Sequence, residues 1–150
     1  LSVPWVSATL LESVVILNER RLAMVERINP STLANPGGYS HVVKDGSTVY
    51  VAGQVARTSD GKTVGVGDFT AQAEQVFKNI AAALESVGTD MSHLMKLNVF
   101  MTHREDFPAY RVVRPKFVPD DALPVSTLIF CSGLADPDFR IEIEVIATLP

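Results

Sequence analysis

From Arg140 to Ala147 the chain reads Arg-Ile-Glu-Ile-Glu-Val-Ile-Ala, with apolar and acidic side chains in alternation. A period of two is the pattern of a half-buried β-strand. Ile141, Ile143, Val145 and Ala147 fall on one face and supply core. Glu142 and Glu144 fall on the other, about 7 Å apart at a rise of about 3.3 Å per residue. A strand face with two carboxylates is not built for packing alone. Either both are simply solvated, or one of them serves chemistry.

A chain of 150 residues suits one domain that buries most of its unfolded surface. Its net charge of −4 and its lack of clustered Lys and Arg argue against a nucleic-acid partner. The single Cys131 excludes an intrachain disulfide and suits a reducing cytosol, so a cytoplasmic location is expected. Nothing local supports Cys131 as a nucleophile; a small strand-end or loop residue is the simpler reading.

Residues 1–23 differ from the rest. Leu10, Leu11, Val14, Val15 and Leu17 recur at near-helical spacing, too short and interrupted to span a bilayer, and the segment lacks the features of a signal peptide. Met24 begins a second natural-looking start. Residues 1–23 are therefore expected to be a non-native or mis-started extension, or an amphipathic helix packing on a partner. Residues 24–150 form the single domain, and no membrane association is expected.

From Met24 to Tyr39 the Pro, Asn, Gly and Ser content predicts extended or looped chain. Residues 41–46 and 48–53 read as two strands around an Asp45-Gly46 turn. After a Gly-rich loop, Asp68 caps a helix in which Phe69, Ala73, Val76, Ile80, Leu84 and Val87 keep the helical period, and Gly88 ends it. Leu94 to Met101 is a third strand. A second helix is expected from about Arg104 to Val118, with Pro108 in its first turn and a kink or stop at Pro115. Residues 125–130 and 139–148 give strands four and five. The order is ββαβαββ: an α+β fold, with two helices on one face of the sheet. The other face is apolar enough to need cover, which predicts a homo-oligomer.

Gly37-Gly38-Tyr39-Ser40, Ala52-Gly53-Gln54, Gln72 and Asn79, residues 96–100 (Lys-Leu-Asn-Val-Phe), Asp106-Phe107, Pro124 and residues 141–147 occur in the order found in one family. Over about Asn29 to Leu149 the chain resembles the Rid proteins, the YjgF-like reactive intermediate deaminases once labelled endoribonuclease L-PSP. The resemblance implies a chorismate-mutase-like fold with a mixed sheet. It also implies a homotrimer with active sites in the clefts between subunits, and hydrolysis of enamines and imines such as 2-aminoacrylate to 2-keto acids and ammonia. No cofactor or metal is implied.

Carried over by position, the resemblance implies a site from Tyr39, Gly53, Arg111, Ser126 and Glu142. Two departures stand out. Active deaminases carry an arginine where this chain has Ser126, and that arginine grips the substrate carboxylate. A serine offers one neutral hydroxyl in place of a charged fork, a loss on the order of 2–5 kcal/mol for a desolvated carboxylate. The family's cysteine position is Leu128 here, so Cys131 inherits nothing from it. Arg111 stands where the family has an asparagine lining the cleft. Either it relocates the carboxylate clamp, or, like Arg114, it points to solvent or to a neighbouring subunit's acid.

Imine hydrolysis needs a water, a base and a proton for the departing nitrogen. Glu142 is the candidate base or water-positioning group, with Glu144 outside direct contact. Tyr39 donates a hydrogen bond, walls the pocket or merely packs. Gly53 allows a ligand close approach. His41, His93 and His103 lack metal-ligand spacing; His41 either lies near the cleft mouth and titrates or takes a surface or strand-end role, the second being the simpler reading. Ser126 has no neighbouring base to make it a nucleophile. Gly65 and Gly67 mark a flexible loop rather than a phosphate-binding fingerprint. The expected function is a small-molecule hydrolase with altered specificity. Its alternative is an inactive ligand-binding or regulatory trimer, and ribonuclease activity is disfavoured by the acidic charge.

Overall fold

A computed structural model describes residues 25–150. The expected extension over residues 1–23 lies outside them. Six strands form one sheet: β1 (Glu26–Ile28), β2 (Val42–Asp45), β3 (Thr48–Gln54), β4 (Leu94–Met101), β5 (Val125–Phe130) and β6 (Ile141–Thr148), in the order β1-β2-β3-β6-β4-β5. The two helices are α1 (Phe69–Glu85) and α2 (Phe107–Val113).

The alternating segment forms β6, which lies inside the sheet between β3 and β4. Ile141, Ile143, Val145 and Ala147 are all buried beneath α1. Both neighbours run antiparallel to β6, while β4 and β5 run parallel, so the sheet is mixed as expected. The parallel pair needs a crossover, and α2 supplies it.

The sheet has one strand more than expected. Glu26–Ile28 pairs with β2 inside a stretch that reads as loop, and Lys44 holds Glu26 across the pair at 2.9 Å. Three residues are too few to show a period, so only the partner strand reveals this one.

Asp68 caps α1 by accepting from the Ala71 N–H at 3.0 Å. The apolar stripe of α1 is buried from Phe69 through Leu84, and the turn beyond it ends at Gly88, whose φ of +80° favours glycine. The second helix is shorter than expected. It is flanked by 3-10 turns at Arg104–Asp106 and Arg114–Lys116, because Pro115 has no N–H to continue the α ladder. The ring of Phe77 on α1 stacks on Phe117 at 5.1 Å and Tyr110 at 6.5 Å, which joins the helices over the sheet.

The opposite face is left partly apolar, with Tyr50, Val125 and Ile129 exposed. Among the described residues no helix is long and apolar enough to cross a membrane.

Candidate functional site

Between Val51 and Gln54, β3 advances three residues while β6 advances two, from Val145 to Ile143. The extra residue is a β-bulge. It brings the Gly53 backbone directly beneath the Glu142 side chain. A Cβ on Gly53 would lie 1.9 Å from Glu142 Oε1 and 2.8 Å from its Cδ. Gly53 is therefore required for space.

The Glu142 carboxylate faces a cleft of about 480 Å³, walled by Tyr39, His41, Gly53, Arg57 and Asn79 among others. Burial pushes the Glu142 pKa above the usual carboxylate range, and the like charge of Glu144 pushes it the same way. Among the described residues no opposing charge or hydrogen bond offsets these two causes. Glu144 itself is exposed and accepts from Asn98 Nδ2 at 2.8 Å, across the β4–β6 pair. The two glutamates share a face but not an environment.

His41 departs from expectation. It immediately precedes β2, as a strand-end residue would, but it is buried rather than at the surface. Its Nε2 donates to the Ala34 carbonyl at 2.7 Å, and its Nδ1 accepts from Gln54 Nε2 at 3.2 Å. These partners fit the tautomer with a proton on Nε2. The backbone N–H of His41 also donates to Asn29 Oδ1 at 2.8 Å. His41 thereby holds the 34–41 segment as one wall of the cleft, with the Tyr39 ring edge-on at 5.4 Å.

The far wall depends on α1. Buried Asn79 donates to the Val55 and Arg57 carbonyls at 3.0 and 2.9 Å and accepts from Gln75 Nε2 at 2.8 Å. This fixes the chain leaving β3. The Arg57 guanidinium then lies 5.0 Å over the Phe139 ring and 3.6 Å from Asp136. Sequence reasoning missed Arg57, a lone cation in a loop with no period to single it out.

The expected site residues divide into two groups. Tyr39, Gly53 and Glu142 line the cleft just described. Arg111 and Ser126 line a second one, of about 420 Å³, between α2 and edge strand β5. Register explains the separation. Leu97 of β4 pairs with Ser126 and with Val145, so Ser126 belongs to the helix-covered side. Phe100 pairs with Glu142 on the opposite side. A single protomer does not bring Glu142 and Ser126 into one cleft. Arg111 is exposed, and burial pushes the neighbouring Tyr110 phenol up to about 12, so it stays a hydroxyl. Cys131 follows the end of β5, its thiol directed at the Met101 carbonyl at 3.7 Å. Among the described residues no three His, Cys, Asp or Glu side chains form a metal-holding group.

The family model described as Endoribonuclease L-PSP matches residues 30–149. A 2-iminobutanoate/2-iminopropanoate deaminase from Dermatophagoides farinae is 33% identical over 115 residues, covering 75% of this chain and 87% of that protein. The mitochondrial protein mmf2 of Schizosaccharomyces pombe is 34% identical over 122 residues, covering 80% and 94%. Among solved structures, RidA from an Antarctic Psychrobacter superposes with a TM-score of 0.77 at 30% identity, covering 83% of this chain and 99% of that one. Yeast Mmf1 superposes with a TM-score of 0.79 at 26% identity, covering 85% and 100%.

Proposed function

This chain belongs to the endoribonuclease L-PSP family, the YjgF/Rid proteins, and from that membership we propose that it hydrolyses a small imine or enamine in the Glu142 cleft. The observation that carries this reading is the Glu142 carboxylate, half-buried over a glycine that leaves it room, with its pKa raised. A carboxylate whose pKa is raised is a stronger base, better able to take a proton from water and return it to the substrate. Glu142 accepts a proton from water as the water adds to the C=N carbon. The same proton goes to the nitrogen, giving a carbinolamine; Glu142 then takes the carbinolamine hydroxyl proton and passes it to the amine, so the C–N bond breaks, C=O forms, ammonia leaves and the carboxylate is restored. Tyr39 and the His41-held segment wall the substrate, and Gly53 lets it approach the backbone.

The exposed apolar sheet face supports a homotrimer in which a neighbouring copy closes the cleft. In that assembly Arg111 and Ser126 reach the substrate from the second protomer. Ser126 supplies a neutral hydroxyl there, so specificity differs from a pocket built around an arginine. The single cysteine supports a cytoplasmic location. A second reading, a ligand-binding trimer without catalysis, is favoured by Ser126 alone.

Decay of freshly generated 2-iminopropanoate with and without the protein tests the hydrolase. Wild type is expected to accelerate it, and Glu142→Gln to lose about a hundredfold or more of that acceleration. No acceleration by wild type would leave the binding reading.

The pH dependence has a definite sign. The active base is the carboxylate, so the rate rises with pH through a pKa above the usual Glu range. Glu144→Gln removes the like charge and is expected to move that rise to lower pH. Stability runs the other way. A pKa raised on folding gives a contribution present below the unfolded value and lost as pH rises through the folded one. The melting temperature of Glu142→Gln is therefore expected to match wild type in acid and to exceed it at neutral pH. Equal melting temperatures across the range would contradict the raised pKa.

A further inference from the structure

The far wall of the Glu142 cleft carries a cation that hydrolysis itself does not need. Among the described residues that line this cleft, Arg57 is the only Lys or Arg. Its backbone is fixed on both sides: the carbonyl accepts from Asn79 Nδ2 at 2.9 Å, and the N–H donates to the Val55 carbonyl at 2.8 Å. Its guanidinium lies 5.0 Å from the centre of the Phe139 ring, which anchors the planar fork against one wall.

This cation is held in place but poorly matched. Its Nε is buried and has no hydrogen-bond partner among the described residues. Asp136, the acid paired with it, stands at 3.6 Å, beyond hydrogen-bonding distance, and partly exposed pairs of that kind contribute little. Buried donors are paired in the great majority of proteins, and beside an open cleft a ligand can supply the acceptor.

The place of the charge narrows the ligand. A cation within about 4–6 Å of a carboxylate lowers its pKa, yet none among the described residues lowers that of Glu142. The guanidinium therefore stands away from the reacting end of the cleft. Phe139, against which it rests, precedes Glu142 by three residues, a reach of up to about 11 Å. A carboxylate bonded directly to the imine carbon stays beside Glu142, whereas one carried on a side chain reaches the fork. The cleft volume of about 480 Å³ has room for such a substrate. On the premise of imine hydrolysis at Glu142, we propose that Arg57 determines specificity by binding a side-chain carboxylate. The preferred substrates are then dicarboxylic 2-imino acids.

Two imines of equal carbon chain separate charge from length: 2-iminoglutarate, generated from glutamate, and 2-iminopentanoate, generated from norvaline. Wild type is expected to hydrolyse 2-iminoglutarate with a kcat/KM at least about tenfold higher. Arg57→Gln should bring this ratio close to one, chiefly through KM, because the contact is made equally in the ground and transition states. Arg57→Lys, which keeps the charge but not the fork, should retain part of the preference. Asp136→Asn should enlarge it by removing the acid that competes for the guanidinium. A merely structural Arg57 would slow both imines alike and leave the ratio in place.

Calorimetric titration with the products 2-oxoglutarate and 2-oxopentanoate follows the same contact without turnover. Wild type should bind 2-oxoglutarate at least about tenfold more tightly, and Arg57→Gln should bind the two alike. That preference without hydrolysis of either imine would remove the hydrolase reading and leave the role of Arg57 standing. Three results would overturn the role of Arg57: equal kcat/KM for the two imines in wild type, equal affinity for the two oxo acids, or a preference that Arg57→Gln leaves unchanged.

Discussion

Gly53→Ala is expected to eliminate imine hydrolysis while leaving the fold almost untouched. The added Cβ would lie 1.9 Å from Glu142 Oε1, far inside contact distance, so one of the two must move. The obstacle is the end of a flexible side chain rather than backbone, and the Glu142 carboxyl can swing aside into the cleft. Gly53 does not have a positive φ, so alanine adds no backbone strain. Stability therefore changes little. Catalysis is different, because a displacement of about 1 Å at a reacting group costs on the order of a hundredfold. Gly53→Ala should match Glu142→Gln in its loss of 2-iminopropanoate hydrolysis and keep a wild-type circular dichroism spectrum. Retention of most activity would mean that Glu142 does not work from the position it holds over Gly53.

Gln72→Leu is expected to produce the largest loss of stability among these variants. Gln72 is fully buried on α1 and uses three hydrogen bonds. Its Nε2 donates to the Gly65 and Asp138 carbonyls at 3.1 and 2.7 Å, and its Oε1 accepts from the Arg140 N–H at 2.9 Å. Leucine fills similar space but leaves two carbonyls and one N–H without their partner. Each such group costs about 1–3 kcal/mol when it stays dry. With some water reaching the loop carbonyls, a total of about 3 kcal/mol is expected, or about 6–12 °C in melting temperature for a domain of this size. The Arg140 side chain, whose guanidinium holds Asp106 at 2.8 Å, would lose its anchored backbone as well. A denaturant midpoint close to wild type would show that water or rearrangement replaces the Gln72 bonds. The same network fixes the chain entering β6, so this variant should also reduce turnover.

Elements defined by a local period were legible. β6 and α1 each repeat their pattern over enough residues to fix both the element and its buried face. The Asp45-Gly46 turn between β2 and β3 was legible for a related reason, since Gly46 takes a φ of +59° that few other residues adopt. β1 was not, because three residues hold no period. The helix expected as one piece from Arg104 to Val118 splits into two 3-10 turns and a short α segment, in which Pro115 decides local geometry.

In the candidate site, Gly53 was named by the resemblance, and the side of β6 that Glu142 faces was legible from strand alternation. Their direct contact was not. It depends on the bulge between Val51 and Gln54, a property of the β3–β6 pairing that neither strand displays alone. Arg57 escaped notice because a single polar residue in a loop carries no period, and the hydrogen bonds that join His41 to Gln54 and Asn79 to Val55 and Arg57 were not legible because those partners lie well away in sequence. Arg111 and Ser126 were placed beside Glu142 by resemblance. Within one chain the sheet separates them.

The sequence by itself determined the α+β class, the face that β6 buries, the cap of α1 and the carboxylate available for chemistry. Each of these follows from side chains whose spacing matches one backbone geometry, so it is encoded within one element. Only the tertiary structure decided which cleft each candidate enters, which groups His41 bonds to and where the cations lie. Those depend on register between strands and on hydrogen bonds between distant segments. A strand's own alternation fixes its two faces relative to each other, but only pairing with its neighbours decides what each face meets.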